Sequence, residues 1–492
     1  MREPPLISES PGADEVPAVA WPLLFRARLK QRVHAHDKYP WLVLIAVLVG
    51  LFASGFDITI FAVSLRDVAN DLGTTPSALT WVVTGPLLAT ALTMPLFGKL
   101  GDLWGHRRVY LYGLAAFVVG TALTAAAWSG ASLIVIRAVA AIPGAAMGPT
   151  SLALIMQVFH DDDRVKAMGW WSLVGAGAPV FGLVAGGPVV SAFGWRWIFI
   201  AQAPLSLVAL AFAAFVLRET PRREREPIDL AGAATLALAT LSALLALSIA
   251  ADRGFTSPVV LGLAVLSPIG LALFIRCERR AAHPLLPLGF FRHRDFSASL
   301  AAQFTSQFAY MGGFIVTPLL MQERFGYAVA ASGFAMVFRP LSFSASSPVF
   351  GYVAARIGVR RASLIGTVLL TLSMVLFAVA ASGGIVWLVF VALVLSGLAL
   401  GACSPSLMTI VANTVGSEDL GVANAAQSMV AQIGNVGGIQ VLAILQAGIA
   451  GAAGFTTAYV VGAGVAFASI LCAAMVRRDR VADLTLVQAE AA

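Results

Sequence analysis

The sequence predicts an all-α integral membrane protein assembled from a duplicated helical unit, and three observations carry that prediction. The 492-residue chain is 59% hydrophobic and only 12% charged; a water-soluble core cannot hide that much apolar surface, so lipid must act as solvent. Apolar runs of about 20 residues, long enough for a hydrocarbon layer of ~30 Å, recur fourteen times. The stretch Gly98-Lys99-Leu100-Gly101-Asp102-Leu103-Trp104-Gly105-His106-Arg107-Arg108 returns 253 residues later as Gly351-Tyr352-Val353-Ala354-Ala355-Arg356-Ile357-Gly358-Val359-Arg360-Arg361. The lead-ins also correspond, Pro95-Leu96-Phe97-Gly98 and Pro348-Val349-Phe350-Gly351. A parallel duplication of a membrane bundle is the sequence mark of alternating access.

In chain order the predicted spans cover residues 41–64, 77–97, 109–128, 131–154, 166–191, 196–217, 228–250, 257–276, 296–321, 329–350, 362–382, 385–410, 421–447 and 454–476. The duplicated six-span units are 41–217 and 296–476, which leaves spans 7 and 8 as a two-helix insert within 218–295. Pro149-Thr150-Ser151-Leu152 and Pro405-Ser406-Leu407, in the two fourth helices, support the alignment. Residues 1–40 and 477–492 are short segments outside the spans.

Orientation follows from Lys and Arg. With both termini cytosolic, the inner segments collect Arg26, Arg28, Lys30, Arg32, Lys38, Lys99, Arg107, Arg108, Arg164, Lys166 and Arg218, and the later ones continue the excess through Arg276, Arg356 and Arg477. The outer loops hold only Arg66, Arg196, Arg253 and Arg324. The positive-inside rule therefore predicts cytosolic ends, and the expected location is the plasma membrane. Residues 23–36 are basic and interspersed with apolar side chains; they form either an inner-leaflet segment or a solvated basic tail.

Other classes are disfavoured. Cys277, Cys403 and Cys472 lie far apart and match no metal or disulfide spacing. The leading residues lack the short apolar core and cleavage site of a signal peptide. The net charge of +7 is scattered through loops rather than massed on one domain, so nucleic acid is not an expected partner. No nucleophile triad, phosphate loop or metal motif is visible, and the expectation is a transporter without enzyme activity, cofactor or metal. His160-Asp161-Asp162-Asp163 reads as a loop with helix-capping acids.

These residues resemble the major facilitator superfamily, and within it the fourteen-span drug:proton antiporters, over nearly the whole chain. The loop Gly98 to Arg108 looks like the superfamily signature between spans 2 and 3. Asp57-Ile58-Thr59-Ile60 resembles the Asp-x-Thr pattern of span 1, with Ala62 and Arg66 in place of the usual asparagine and proline. Trp195-Arg196-Trp197-Ile198-Phe199 and His283-Pro284-Leu285-Leu286-Pro287-Leu288 are similar to other family landmarks. Arg137 matches the span 4 arginine, followed by Ala140 and Ala141 where glutamine and glycine are usual. The antiporter element of span 5 reads Gly182-Leu183-Val184-Ala185-Gly186-Gly187, with Leu183 for proline. The resemblance implies the major facilitator fold, two six-helix bundles plus the insert, and a loop that latches the halves through Gly98, Asp102, Gly105, Arg107 and Arg108.

Asp57 is the one carboxylate well inside a span, roughly 24 Å from the inner face at ~1.5 Å per residue. Its charge exposed to lipid costs ~2.5 to 3.5 kcal/mol or more, so it should face a cavity. Arg137 lies roughly 9 Å below the outer surface, at matching depth. A pair between them relieves both burial costs, and exchanging that partner for a proton makes a coupling switch. The other reading is a structural ion pair.

The expected solute cavity is lined by Gln303, Gln307 and Tyr310 of span 9, Arg339 of span 10, and Asn424, Gln427, Ser428, Gln432 and Asn435 of span 13. The span 13 residues share one helical face, and a polar stripe in lipid must look into protein or water. Helix–helix hydrogen bonding is the alternative for both sets. Arg339 either meets an acidic or polar solute or satisfies nearby carbonyls. Asp102 sits where a carboxylate can meet helix N-terminal dipoles and the basic pair, and Ala355 in the second copy makes any such latch one-sided. The sequence thus predicts a monomeric, proton-coupled exporter of small amphiphilic molecules in the lipid bilayer. The alternatives are a lipid or lysolipid transporter of the same fold and a non-transporting membrane sensor, which the absence of a large soluble domain disfavours.

Overall fold

In the computed structural model, residues 38–55, 68–74, 79, 81–159, 161–220, 229–254, 256–282, 284–416 and 419–477 are described. Apart from one 3-10 turn at Leu288–Arg292, the long elements are all α-helices. Lipid offers backbone groups no hydrogen-bond partners, and helices satisfy them internally.

The first group comprises α1 (Tyr39–Gly55), α2 (Trp81–Trp104), α3 (His106–Ala125), α4 (Gly130–Gly144), α5 (Met147–Val158), α6 (Asp161–Phe193) and α7 (Arg196–Val216). The insert is α8 (Leu230–Arg253) and α9 (Pro258–Glu278). The second group comprises α10 (Arg294–Glu323), α11 (Val329–Met336), α12 (Phe338–Ile357), α13 (Val359–Gly383), α14 (Val386–Asn413), α15 (Leu420–Ala447) and α16 (Ala452–Met475).

Two interruptions have one cause. Pro149 is the third residue of α5 and Pro340 the third of α12. Neither has an N–H for the carbonyl four residues back, at Ala145 and Met336, and the ring crowds that carbonyl. The chain breaks there, between α4 and α5 and between α11 and α12.

Among the described residues nine helices are long and apolar enough to cross a membrane, fewer than the fourteen apolar runs of the sequence. The difference has a chemical side. The described part of α1 is 17 residues long, α6 opens on three aspartates, and α12 carries Arg339 with Ser342, Ser344, Ser346 and Ser347.

Glycine conformation follows the duplication. Gly105 and Gly358, 253 positions apart, take φ of 94° and 92°, and Gly73 and Gly326, with the same offset, take 61° and 71°. An L side chain is strained at such angles. The largest apolar cluster lies entirely within α10–α16 and their flanks. A second is built on α1, α3 and α5–α7, with Ala412 and Leu420 crossing from the other group. The groups meet where α2 packs on α15, and where α6 packs on α12 and α14. The insert helix α8 packs on α9 and on both α2 and α15, so it lies beside the first of these seams.

Candidate functional site

The repeated loop of the first group meets the second group head-on. Asp102, at the end of α2, is 4% exposed. One carboxylate oxygen accepts the N–H of Gly421 at 3.0 Å and the other that of Val422 at 3.0 Å. Both N–H groups belong to the first turn of α15, where helices leave donors unsatisfied and carry partial positive charge. Asp102 therefore caps a helix more than 300 residues away in sequence. His106 places Nε2 3.1 Å from the same carboxylate, and its own N–H donates to Thr220 Oγ1 at 2.8 Å.

Close approach makes this geometry possible. A Cβ at Gly98 would lie 2.5 Å from the carbonyl oxygen of Gly421, and one at Gly421 would lie 2.5 Å from that of Gly98. Two missing side chains let the backbones cross in contact.

The basic pair does not reach Asp102. Arg107 donates to the carbonyl of Ala214 at 3.0 Å, and Arg108 pairs with Glu219 at 3.0 Å, so both are tied to the end of α7. The Asp102 oxygens are taken by α15 and His106, and Glu219 stands beside both arginines, 3.7 Å from Arg107 and 3.0 Å from Arg108. His106 and Glu219 were not singled out in the sequence. The i,i+4 spacing of Asp102 and His106 on a helical turn is the signal that marks the first of them.

The second copy builds a different contact. A Cβ at Gly351 would lie 2.8 Å from the Val165 carbonyl, and one at Gly169 would lie 2.6 Å from that of Ser347, so α12 and α6 also cross through glycines. Ala355 supplies no carboxylate. Instead Lys166 sits 5.8 Å from the centre of the Tyr352 ring and pairs with Asp163 at 2.6 Å, while Arg164 donates to Asn413 Oδ1 at 2.7 Å. Arg360 repeats the role of Arg107, donating to the carbonyl of Ala474 at 3.1 Å.

Of the deep charges, Asp57 lies outside the described residues. Arg137 is buried on α4, 5.9 Å from the centre of the Phe199 ring. It lines a cavity of about 160 Å³ with Ser54, Thr90, Thr121, Thr124 and Met147, so its surroundings mix hydroxyl and apolar groups.

Arg339 has no exposed surface. Its guanidinium lies 3.8 Å from the centre of the Tyr310 ring, and one terminal nitrogen donates to the Tyr310 carbonyl. In this conformation it is enclosed within its own helix group, against Tyr310 of α10. Tyr310 and Arg339 are thus brought together.

That stripe is graded along its length. Asn424 and Gln427 are buried, at 0% and 2% exposure, and none of their four amide atoms has a hydrogen-bond partner among the described residues. Ser428, Gln432 and Asn435 are half-buried, and Asn435 donates to Gln432 at 2.7 Å. Gln303 is buried and Gln307 half-buried on α10. A Cβ at Gly434 would lie 3.3 Å from the Cβ of Gln307, which brings Gln307 beside the α15 stripe.

At the opposite end from the repeated loops, Asp71 accepts from Trp195 Nε1 at 3.0 Å and from Arg196. Hydrogen bonds from Trp195 and then Arg196 hold its carboxyl below the usual range. Arg196 also donates to the Ala127 carbonyl at 3.0 Å, so this cluster binds parts of the first group to each other. Among the described residues no group of three or more metal-ligating side chains converges.

The chain as a whole has relatives among known proteins. The chain is 30% identical over 406 residues to the multidrug transporter protein MdtP of Bacillus subtilis, covering 82% of this chain and 74% of that one. It is 30% identical over 410 residues to the tetracenomycin C resistance and export protein of Streptomyces glaucescens, covering 83% and 76%. Among solved structures, the human organic anion transporter MFSD10 (TETRAN) superposes with a TM-score of 0.65 at 16% identity, over 88% of this chain and 99% of that one; that likeness is one of fold. The profile of the Major Facilitator Superfamily matches residues 47–338 and 299–491. With both groups matched and the fold shared, the chain belongs to the Major Facilitator Superfamily and is a multi-pass membrane transporter.

Proposed function

We propose that this protein is a proton-coupled exporter of small amphiphilic molecules, a fourteen-span drug:proton antiporter of the plasma membrane. It works by alternating access, with both termini and the repeated loops on the cytosolic side. The observation that carries the reading is the carboxylate of Asp102 capping α15 across the seam. A polar contact that joins the two groups at one end only is a contact that can be exchanged for solvent when that end opens. The names of the two bacterial relatives support export of drug-like solutes. A cavity bordered by hydroxyl and apolar side chains and by Arg137 suits solutes with one polar end. Asp57 is the proton carrier in this reading and Arg137 its partner, since protonation releases a buried ion pair.

The test is solute flux in proteoliposomes under an imposed pH gradient, screened across cationic, neutral, anionic and lipid-like solutes. The parent should accumulate amphiphiles only with the gradient. Asp57→Asn should abolish gradient-driven accumulation while solute exchange persists. Gradient-independent accumulation, or normal driven transport by Asp57→Asn, would remove the coupling mechanism; flux of lipids alone would reassign the cargo.

A further inference from the structure

The insert carries a buried acidic group that the export mechanism does not use. Glu278, the last residue of α9, is 4% exposed. One of its oxygens accepts the N–H groups of Leu285 and Leu286 at 3.1 and 3.3 Å, which fixes the carboxyl in the turn after the helix. Asp229 caps the start of α8 by accepting the Gly232 N–H at 2.8 Å. The two carboxyls converge on one point: a Cβ at Gly232 would lie 2.5 Å from Asp229 Oδ2 and 2.9 Å from Glu278 Oε1. The remaining oxygens, Asp229 Oδ2 and Glu278 Oε2, are buried and have no hydrogen-bond partner among the described residues.

Among the described residues, the charged side chains facing Glu278 are Asp229 from α8 and Lys99 from α2. Lys99 is itself 3% exposed. α15 contributes no charge, and Arg276, Arg279 and Arg280 of the same turn are exposed. Among the described residues, two carboxyl groups meet one ammonium in this buried place, an excess of negative charge. Like charges sharing a buried site do not both ionise, and one shared proton removes the excess and supplies a donor where carboxyl oxygens lack one.

We propose that Asp229 and Glu278 form a proton-binding site in which the two carboxyl groups share one proton, with Lys99 of the repeated loop as the facing cation. The site joins the insert to α2 beside the seam that Asp102 closes. Opening that seam withdraws α2 and admits water, so the proton leaves when this end is open. The occupancy of the site in the closed form involves no solute, so its test stands apart from the export reading.

The experiment is an infrared pH titration of the purified full-length protein in detergent, following the C=O stretch of protonated carboxyl groups. The parent should show a band that persists at neutral pH. Glu278→Gln should lose it; an undiminished band overturns the assignment. Asp229→Asn keeps an oxygen to cap α8 but removes the competing charge, so the band should titrate away at lower pH than in the parent. A band unchanged in Asp229→Asn overturns the sharing, and this variant decides the matter if Glu278→Gln does not fold. Lys99→Met should carry the band to higher pH, and a midpoint that stays or falls overturns the placing of Lys99 as the facing cation.

Discussion

The two seams between the helix groups use the same backbone device with different chemistry. Where α2 meets α15, glycines cross and a buried carboxylate receives two helix N–H groups. Where α6 meets α12, glycines cross again, but the position of the carboxylate is taken by Ala355 and the polar contacts are peripheral, through Lys166, Tyr352 and Arg164. The duplication preserved the shape of the crossing and let the charge lapse in one copy. Close packing is thus the common requirement for this closed end, and the charge-assisted cap is a specialised addition that biases one seam.

The comparison breaks most severely if the glycines are filled. Gly98→Val and Gly351→Val should each hold their seam open, because the neighbouring carbonyls lie too near for any Cβ to fit. Overpacking of this kind costs about 1 to 3 kcal/mol, enough to lower turnover by roughly tenfold. Spin-label distances across each seam should lengthen in both variants, and a change in one seam alone would show that the crossings are not equivalent.

Asp102→Asn comes next. It preserves shape but gives up a charged acceptor worth about 1 kcal/mol at a helix start. Turnover should fall several-fold while solute affinity stays within a few-fold, measured by flux and equilibrium binding on the same preparation. Equal turnover for variant and parent would reduce the cap to a packing detail. Lys166→Met tests the other seam, where a partly exposed cation–π contact contributes about 0.5 to 1 kcal/mol at most. Its effect on turnover should not exceed that of Asp102→Asn, and a larger one would make the second seam more electrostatic than the first.

The smallest effect should come from Asp71, whose contacts lie within the first group and leave both seams alone. Its carboxyl is held below the usual range by Trp195 and Arg196. A lowered pKa in the folded state adds stability above the ordinary carboxylate value of about 4. That stability is lost as pH falls through the lowered value. Asp71→Asn should therefore lower the neutral plateau of thermal stability slightly and flatten the acid limb, so that variant and parent converge at low pH, with a small size because the pair is half-exposed. A change in transport turnover at neutral pH would contradict its confinement to one group.

Much of this was legible in the residues. The second appearance of Gly98 to Arg108 announced a repeated elbow, and its glycines at 105 and 358 share a left-handed conformation because backbone geometry travels with the motif. Sequence could not say which helix start Asp102 would meet, because Gly421 and Val422 are reached only by tertiary packing. Arg107 and Arg108 looked like natural partners for Asp102 by proximity in the chain, yet Ala214 and Glu219 take them. Arg339 was readable as deep but not as enclosed, since the ring that covers it comes from Tyr310 on another helix. Glu278 fell two residues beyond the predicted end of span 8, among arginines, and its burial depends on a turn that no periodicity reveals.

The anchoring of Arg107 to Ala214, and of Arg360 to Ala474, has a mechanical meaning. Each elbow is riveted to the last helix of its own group, so it has no independent slack. In the proposed alternating access, a tilt of the first group would carry Asp102 as the tip of a stiff arm and take it from Gly421 and Val422 together.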